Sequence, residues 1–141
     1  MDAYLQFVLA HGLLFGALGV LLLAFVANEV HGHFSGGKKL NPQQAVRLIN
    51  DRDPIILDVR PAAEFKRGHL LNALNLPVAQ LDTQLGQLDK NKARPILVYC
   101  SLGAHSTAAV EKLRKVGYTE VYPLSGGINN WQGSNLPITA K

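Results

Sequence analysis

Hydrophobic and polar positions divide the chain into two regimes. From Tyr4 to Ala27 the run YLQFVLAHGLLFGALGVLLLAFVA holds 24 residues with no Asp, Glu, Lys or Arg. As a helix it would extend about 36 Å, enough to cross a hydrocarbon core of roughly 30 Å. Beyond it, NEVHGHFSGGKK is polar and glycine-containing, without apolar period, and reads as a linker. In LNPQQAVRLIN, Asn41 can cap a helix, Pro42 fits its first position and Gln44 sits where a capping-box partner belongs. PIILDVR is a compact apolar run ending in Asp58 and Arg60, as a buried parallel strand would. PAAEFKRG predicts a short helix stopping near Gly68, and ALNLP (73–77) a short strand. VAQLDTQLGQL spaces Val78, Leu81, Leu85 and Leu88 at helical intervals. PILVYC is a second strongly apolar strand, and STAAVEKLRKVG predicts a helix with Ala109, Leu113 and Val116 on one face and Gly117 as its cap. VYPL is a further strand, and SGGINNWQG a glycine turn into a last short helix.

Strands alternating with helices imply an α/β domain with a mainly parallel central sheet flanked by helices, preceded by one N-terminal transmembrane helix. The expected division is an anchor over 1–28, a juxtamembrane linker over 29–39 and a folded domain over 40–141. In open parallel sheets ligands bind beyond the carboxyl ends of the strands. Asp58, Arg60 and Cys100 all stand at such ends, so one shared rim is expected.

Charge and cysteine usage narrow the setting. A cleaved signal peptide would need a positively charged start and a shorter apolar run, whereas only Asp2 is charged before this one, so an uncleaved anchor is the expectation. Lys38, Lys39 and Arg47 follow the span and no Lys or Arg precedes it, which by the positive-inside rule puts the N-terminus outside and the domain in the cytoplasm. Residues 38–141 hold all 14 Lys and Arg and 8 of the 10 acids, a net charge of +6 that favours small anions or an anionic lipid surface. No basic run with interleaved aromatics or other nucleic-acid motif is present, so no nucleic-acid partner is expected. The single cysteine excludes an internal disulfide and a multi-cysteine zinc site, and suits a reducing cytosol. His31 and His33 form a His-x-His pair with no third ligand near in sequence, so an interfacial linker is expected there and no metal.

A lone cysteine in an apolar strand is usually a small buried hydrophobe. Cys100, however, ends its strand, and SLGAHS leads from it into a helix beginning near His105 or Ser106. Amides of such a loop, with the unsatisfied donors of a helix N-terminus, converge on an anion and stabilise a thiolate held there. Gly103 permits a backbone conformation or close approach that a side chain would obstruct.

The ordered set LDVRPAAEFKRGHLLNALNLP, ILVYCSLGAHSTAAVEKLRKVGY and VYPLSGGINNWQG resembles a single-domain rhodanese, a sulfurtransferase of the rhodanese/Cdc25 phosphatase superfamily, over roughly residues 40 to 137. With its preceding span the chain is similar to bacterial inner-membrane rhodanese-like proteins. The resemblance implies that Cys100 accepts a sulfane sulfur from a donor such as thiosulfate, forms a persulfide and passes it to cyanide or a thiol, with no cofactor beyond that covalent intermediate. It implies that Ser101, Leu102, Gly103, Ala104 and His105, with Ser106 behind them, supply the loop that holds the transferring sulfur. Asp58, Arg60 and Glu64 would brace the rim, and His69 and Trp131 would serve structure and core packing. The phosphatase branch carries a loop one residue longer whose arginine grips phosphate; the matching position here is Ser106, which offers no cation. A common rhodanese loop reads C-R-x-G-x-R-S, and Ser101 and His105 replace both arginines here. A thiosulfate dianion thereby loses two fixed charges, and a persulfide donor is the alternative. The rival classes are a catalytically weak binding module docking a membrane partner, and a persulfide or redox sensor using the same thiol.

Gly12 and Gly16 form a G-x-x-x-G with Gly19 on nearly the same helix face, which would admit a second helix closely, as in a dimer or a membrane-protein partner.

Overall fold

The computed structural model describes the side chains of residues 1–30 and 37–141, and for 31–36 the backbone of a helix only; His31 and His33 therefore lie outside the described side chains. The chain forms two compact units, Met1–Ser35 and Gly36–Lys141.

In the first unit, α1 (Asp2–Ala10) and α2 (Gly12–Gly36) replace the single uninterrupted helix expected from Tyr4. The chain leaves helical geometry at His11, with φ −113° and ψ 30°, immediately before Gly12, the residue type least committed to a helix interior. Within α2, Gly12–Val30 is a stretch of 19 residues with a mean hydropathy of 2.1, Glu29 its one charged residue and none of it buried. At 1.5 Å per residue that is about 28 Å, long enough to cross a bilayer core. The helix ends at Gly36 rather than near Asn28, so most of the stretch expected as irregular linker is helical. Once nucleated, a helix adds one hydrogen bond per residue fixed, and no proline interrupts it here.

The second unit is built on four parallel strands in the order β2-β1-β3-β4: β1 (Ile55–Asp58), β2 (Leu74–Asn75), β3 (Ile96–Tyr99) and β4 (Val121–Pro123). Its first helix, α3 (Pro42–Arg52), carries the expected capping box: Asn41 Oδ1 accepts from the Gln44 amide at 2.8 Å, and the Gln44 side chain accepts from the Asn41 amide at 3.0 Å. Helix α4 (Ala62–Arg67) follows β1. The period-2 alternation of the strands sorts the core into two layers. Ile55, Leu57, Ile96, Val98 and Cys100 face α5 (Leu81–Gln84) and α6 (Ser106–Lys115); Ile56, Leu97 and Tyr99 face α3 and α7 (Gly127–Gly133), where Trp131 is buried. Helices thus cover both faces, as buried parallel strands require.

Three local expectations change. VAQLDTQLGQL is a single α-helical turn, Leu81–Gln84, between 3-10 turns Val78–Gln80 and Leu85–Gln87; Leu81 and Leu88 are buried, with Val78 and Leu85 packed beside them. Its apolar spacing reported the buried side correctly but not the helix type, because i, i+3 neighbours share a face in both geometries. Strand β2 shrinks to two residues, Leu74–Asn75, and ends two positions before Pro77, which has no amide to donate to a ladder. On α6 the buried apolar residues are Ala109, Val110 and Leu113, while Val116 is exposed where the helix ends and Gly117 turns at φ 105°.

Candidate active site

Strand β3 carries Cys100 to the carboxyl edge of the sheet. Its alternation with Val98 and Ile96 aims the thiol toward the α5/α6 layer, and only 2% of the residue is exposed. Cys100 is therefore both a core residue and part of the floor of a groove of about 850 Å³. Beyond it the backbone turns through Ser101–His105 into α6 at Ser106.

Two side-chain contacts pin that loop. The Gly103 amide donates to Cys100 Sγ at 2.9 Å, and Ser106 Oγ donates to the Gly103 carbonyl at 2.8 Å, so the peptide units on both sides of Gly103 are held. Gly103 has φ 98°, a region that disfavours any side chain. Among the described residues, the amides of Leu102, Ala104 and His105 donate to no carbonyl or side chain and remain available to an acceptor. Leu102 and His105 are exposed, whereas Ser106 is fully buried.

The loop rests on the glycine turn before α7. The Ile128 amide donates to the Cys100 carbonyl at 2.9 Å and the Asn129 amide to the Ser101 carbonyl at 3.2 Å. At Gly127, with φ 60°, a Cβ atom would collide with the carbonyl oxygens of Cys100 and Ser101. The glycine pair of SGGINNW is thus the seat of the cysteine loop, a contact that motif spacing alone does not reveal.

On the other side stands β1. Arg60 Nε donates to both Asp58 oxygens at 3.0 and 3.1 Å, Arg60 Nη2 to Oδ2 at 2.6 Å and to the Gly68 carbonyl at 2.7 Å, and the Arg60 amide to Oδ1 at 2.9 Å. Asp58 is fully buried and Arg60 8% exposed. Burial alone would lower the Arg60 pKa, but the hydrogen bonds and charge of Asp58 outweigh it and raise the value above its ordinary range, so the guanidinium stays charged. The guanidinium also lies 5.6 Å from the Tyr99 ring centre, within cation–π range. Burial, then the Asp58 charge, push the Tyr99 hydroxyl well above the usual phenol range, while its oxygen accepts from the Leu70 amide at 3.1 Å. Asn75, which sequence reasoning passed over, ties the strand end by donating to the carbonyls of Asp58 and Arg60 at 3.2 and 2.9 Å. A polar side chain inside the apolar string ALNLP was its available signal.

Glu64 joins the two sides. Its Oε2 accepts from Ser101 Oγ at 3.0 Å and lies 4.0 Å from Arg60 Nη1. The structure therefore brings Asp58, Arg60 and Glu64 to the same rim as Cys100 and its loop. Pro77, Val78 and Ala79 form the opposite wall of the groove, also unanticipated, because short turns between elements give no sign of which surface they face. His69 lies away from the groove: it is buried, stacks on Phe65 at 3.7 Å between ring centres, and its Nδ1 bonds the Phe65 carbonyl at 2.8 Å. Trp131 Nε1 donates to the Pro137 carbonyl at 3.0 Å from within the α3/α7 layer. Among the described residues no three His, Cys, Asp or Glu side chains converge on a common metal position.

Chemically, the arrangement offers a fixed thiol with the Gly103 amide on its Sγ and three further unpartnered amides in the same loop. Such a cradle stabilises negative charge on sulfur through dipoles already in place.

Comparison with known proteins meets the same residues. Residues 41–134 match the family described as Rhodanese-like domain. The chain is 31% identical over 139 residues to the protein YibN of Escherichia coli (strain K12), covering 98% of this chain and 97% of that one. It is 37% identical over 95 residues to the thiosulfate sulfurtransferase GlpE of Coxiella burnetii (strain RSA 331 / Henzerling II), covering 67% of this chain and 87% of that protein. A crystal structure of a rhodanese-related protein from Thermoplasma volcanium superposes with a TM-score of 0.67 at 27% identity, covering 74% of this chain and all of the other.

Proposed function

The chain belongs to the rhodanese-like domain family, which supports a sulfurtransferase-type function, and from that premise we propose that it moves sulfane sulfur through a persulfide formed on Cys100. The observation that carries the reading is the Gly103 amide 2.9 Å from Cys100 Sγ, in a loop locked by Ser106 and by the glycine turn.

In the first step the Cys100 thiolate attacks the outer sulfur of the donor. With thiosulfate, the S–S bond breaks, sulfite leaves with the electron pair and Cys100 holds S–S⁻. In the second step a thiolate or cyanide attacks the terminal sulfur, the Cys100 S–S bond breaks, and the Cys100 thiolate is regenerated with persulfide or thiocyanate released. No external oxidant or reductant enters. Two transfers through one covalent intermediate replace a single direct exchange. The amides of Leu102, Ala104 and His105 stabilise the terminal sulfur, and Ser101 holds Glu64 at the loop. Asp58 and Arg60 act as a brace, since every hydrogen bond and ion pair of their charged groups is with each other or with neighbouring backbone and carboxylate.

The apolar helix Gly12–Val30 anchors the domain to the bacterial inner membrane, and the basic residues Lys38, Lys39 and Arg47 after it favour a cytoplasmic domain. A second reading, a rhodanese fold that only binds a partner or senses persulfide, is favoured by one observation: the loop carries Ser101 and His105 where fixed positive charge would assist a dianion. Intact-mass measurement of the full chain after exposure to thiosulfate or an organic persulfide separates these readings. The transfer reading expects a gain of one sulfur atom on wild type, none on Cys100→Ser, and loss of that sulfur on adding a thiol. An adduct that no acceptor discharges points to sensing, and no adduct with any donor overturns the reading.

A further inference from the structure

The groove above Cys100 has a composition at odds with a small dianion. Its wall is formed by Pro61, Pro77, Val78, Ala79, Leu102 and Ala108, and its 850 Å³ falls within the range of sites that enclose organic ligands. A thiosulfate ion would leave most of that apolar surface uncovered. Leu102, at the tip of the catalytic loop, is 71% exposed, an apolar side chain held out at the mouth. Among the described residues lining the groove, Arg60 is the only Lys or Arg, and its guanidinium is committed to Asp58 and the Gly68 carbonyl. The other charged groups there are the Glu64 carboxylate and His105, which carries a charge only when protonated. A dianion therefore meets a carboxylate and a neutralised arginine.

Resting on the sulfur-transfer reading above, we propose that the donor is a small organic persulfide whose carbon body is uncharged and apolar. Its body lies between Pro77–Ala79 and Leu102, and its terminal sulfur sits at the loop amides. The Cys100 thiolate attacks that terminal sulfur, the donor S–S bond breaks, and the organic thiolate departs with the electron pair, leaving the persulfide on Cys100. One negative charge enters with the donor and one leaves with the thiolate, so the site never has to hold two on the substrate. Backbone amides suffice for a single charge spread over sulfur.

The test uses the full chain in lipid nanodiscs. Loading of Cys100 is followed by intact mass with benzyl persulfide, glutathione persulfide and thiosulfate, each rate normalised to the same donor's reaction with a free small-molecule thiol. The two persulfides share the reacting group and differ in the charge and polarity of the body. Benzyl persulfide should load faster than glutathione persulfide by about tenfold, the effect of removing on the order of 60 Å² of apolar surface from water. In Leu102→Asp and Ala79→Asp, both at exposed positions and checked for folding by Trp131 fluorescence, that ratio should fall by about fivefold or more. A wild-type ratio at or below unity, or a ratio unchanged in both variants, overturns the apolar-donor proposal. Failure of all three donors to load Cys100 overturns the transfer reading together with it.

Discussion

Replacing Gly127 by alanine tests whether the glycine turn is the seat of the cysteine loop. At φ 60° an alanine occupies left-handed geometry, which costs roughly 1–2 kcal/mol for a residue with a Cβ. The added methyl would also meet the carbonyl oxygens of Cys100 and Ser101, which are backbone atoms and cannot swing away. Relief requires the turn and the loop to separate, which lengthens or breaks the bonds from Ile128 N to Cys100 O and from Asn129 N to Ser101 O. At about 0.5–1.5 kcal/mol for each bond, the total comes to about 2–5 kcal/mol, a large share of the roughly 5–15 kcal/mol that stabilises an ordinary domain. Gly133→Ala is the matched control, because nothing lies within 4 Å of its added methyl. It should be neutral or stabilising by up to about 1 kcal/mol, as alanine is the better helix former. Urea unfolding of the full chain in micelles, read by the fluorescence of Trp131, the single and buried tryptophan, measures both. Sulfur loading of the folded fraction should also slow in Gly127→Ala, since the Gly103 amide is displaced from Sγ. A midpoint and a loading rate both equal to wild type in Gly127→Ala would refute the argument.

Two further outcomes follow from the same rim. Arg60→Met leaves the Asp58 carboxylate fully buried without its side-chain partner, and should cost about 3–5 kcal/mol in the same unfolding assay; Asp58→Asn combined with Arg60→Met should recover part of that loss, because no unpaired charge remains. Tyr99 supplies a pH dependence. Its folded pKa is raised by burial and by Asp58, so the folded chain holds the phenol proton more tightly than the unfolded chain does. Stability from this group is therefore intact below the unfolded value of 10.0 and falls as pH rises above it. Unfolding measured between neutral pH and strongly alkaline pH should decline with a steeper slope in wild type than in Tyr99→Phe; equal slopes would show that Tyr99 ionises as freely folded as unfolded.

Much of the scaffold was readable because local chemistry and global placement agree. The capping box at Asn41 and Gln44, the two apolar strands and the start of α6 at Ser106 each rest on neighbours in sequence, and each appears in the structure. What escaped depends on contacts between distant segments. Gly127 shows a glycine in sequence but not the carbonyls beneath it, and Pro77–Ala79 looks like a connection until the groove it walls is assembled. Val116 fits the helical period yet is exposed, because the helix ends beside it and Leu113 is the last buried residue on α6. The break at His11 likewise arises from adjacent geometry that an unbroken apolar run conceals.

The cysteine loop is also held in place with no Lys, Arg, Asp or Glu among Ser101–Ser106. Arginines on such a loop would supply both attraction for an anion and part of the loop's rigidity. Here rigidity comes from elsewhere: Ser106 holds the Gly103 carbonyl, α7 holds the carbonyls of Cys100 and Ser101, and Glu64 holds the Ser101 hydroxyl. The buried Asp58–Arg60 pair stiffens the neighbouring strand end but directs its charge inward. Attraction is thus left to backbone amides, whose partial charges suit one spread negative charge on sulfur better than two on a compact oxyanion. Apolar walls add affinity for a carbon body and nothing for a hydrated ion. On the proposed reading, the lack of arginine over Ser101–His105 and the apolar lining therefore act together, both favouring an uncharged carbon body on the donor that reaches Cys100.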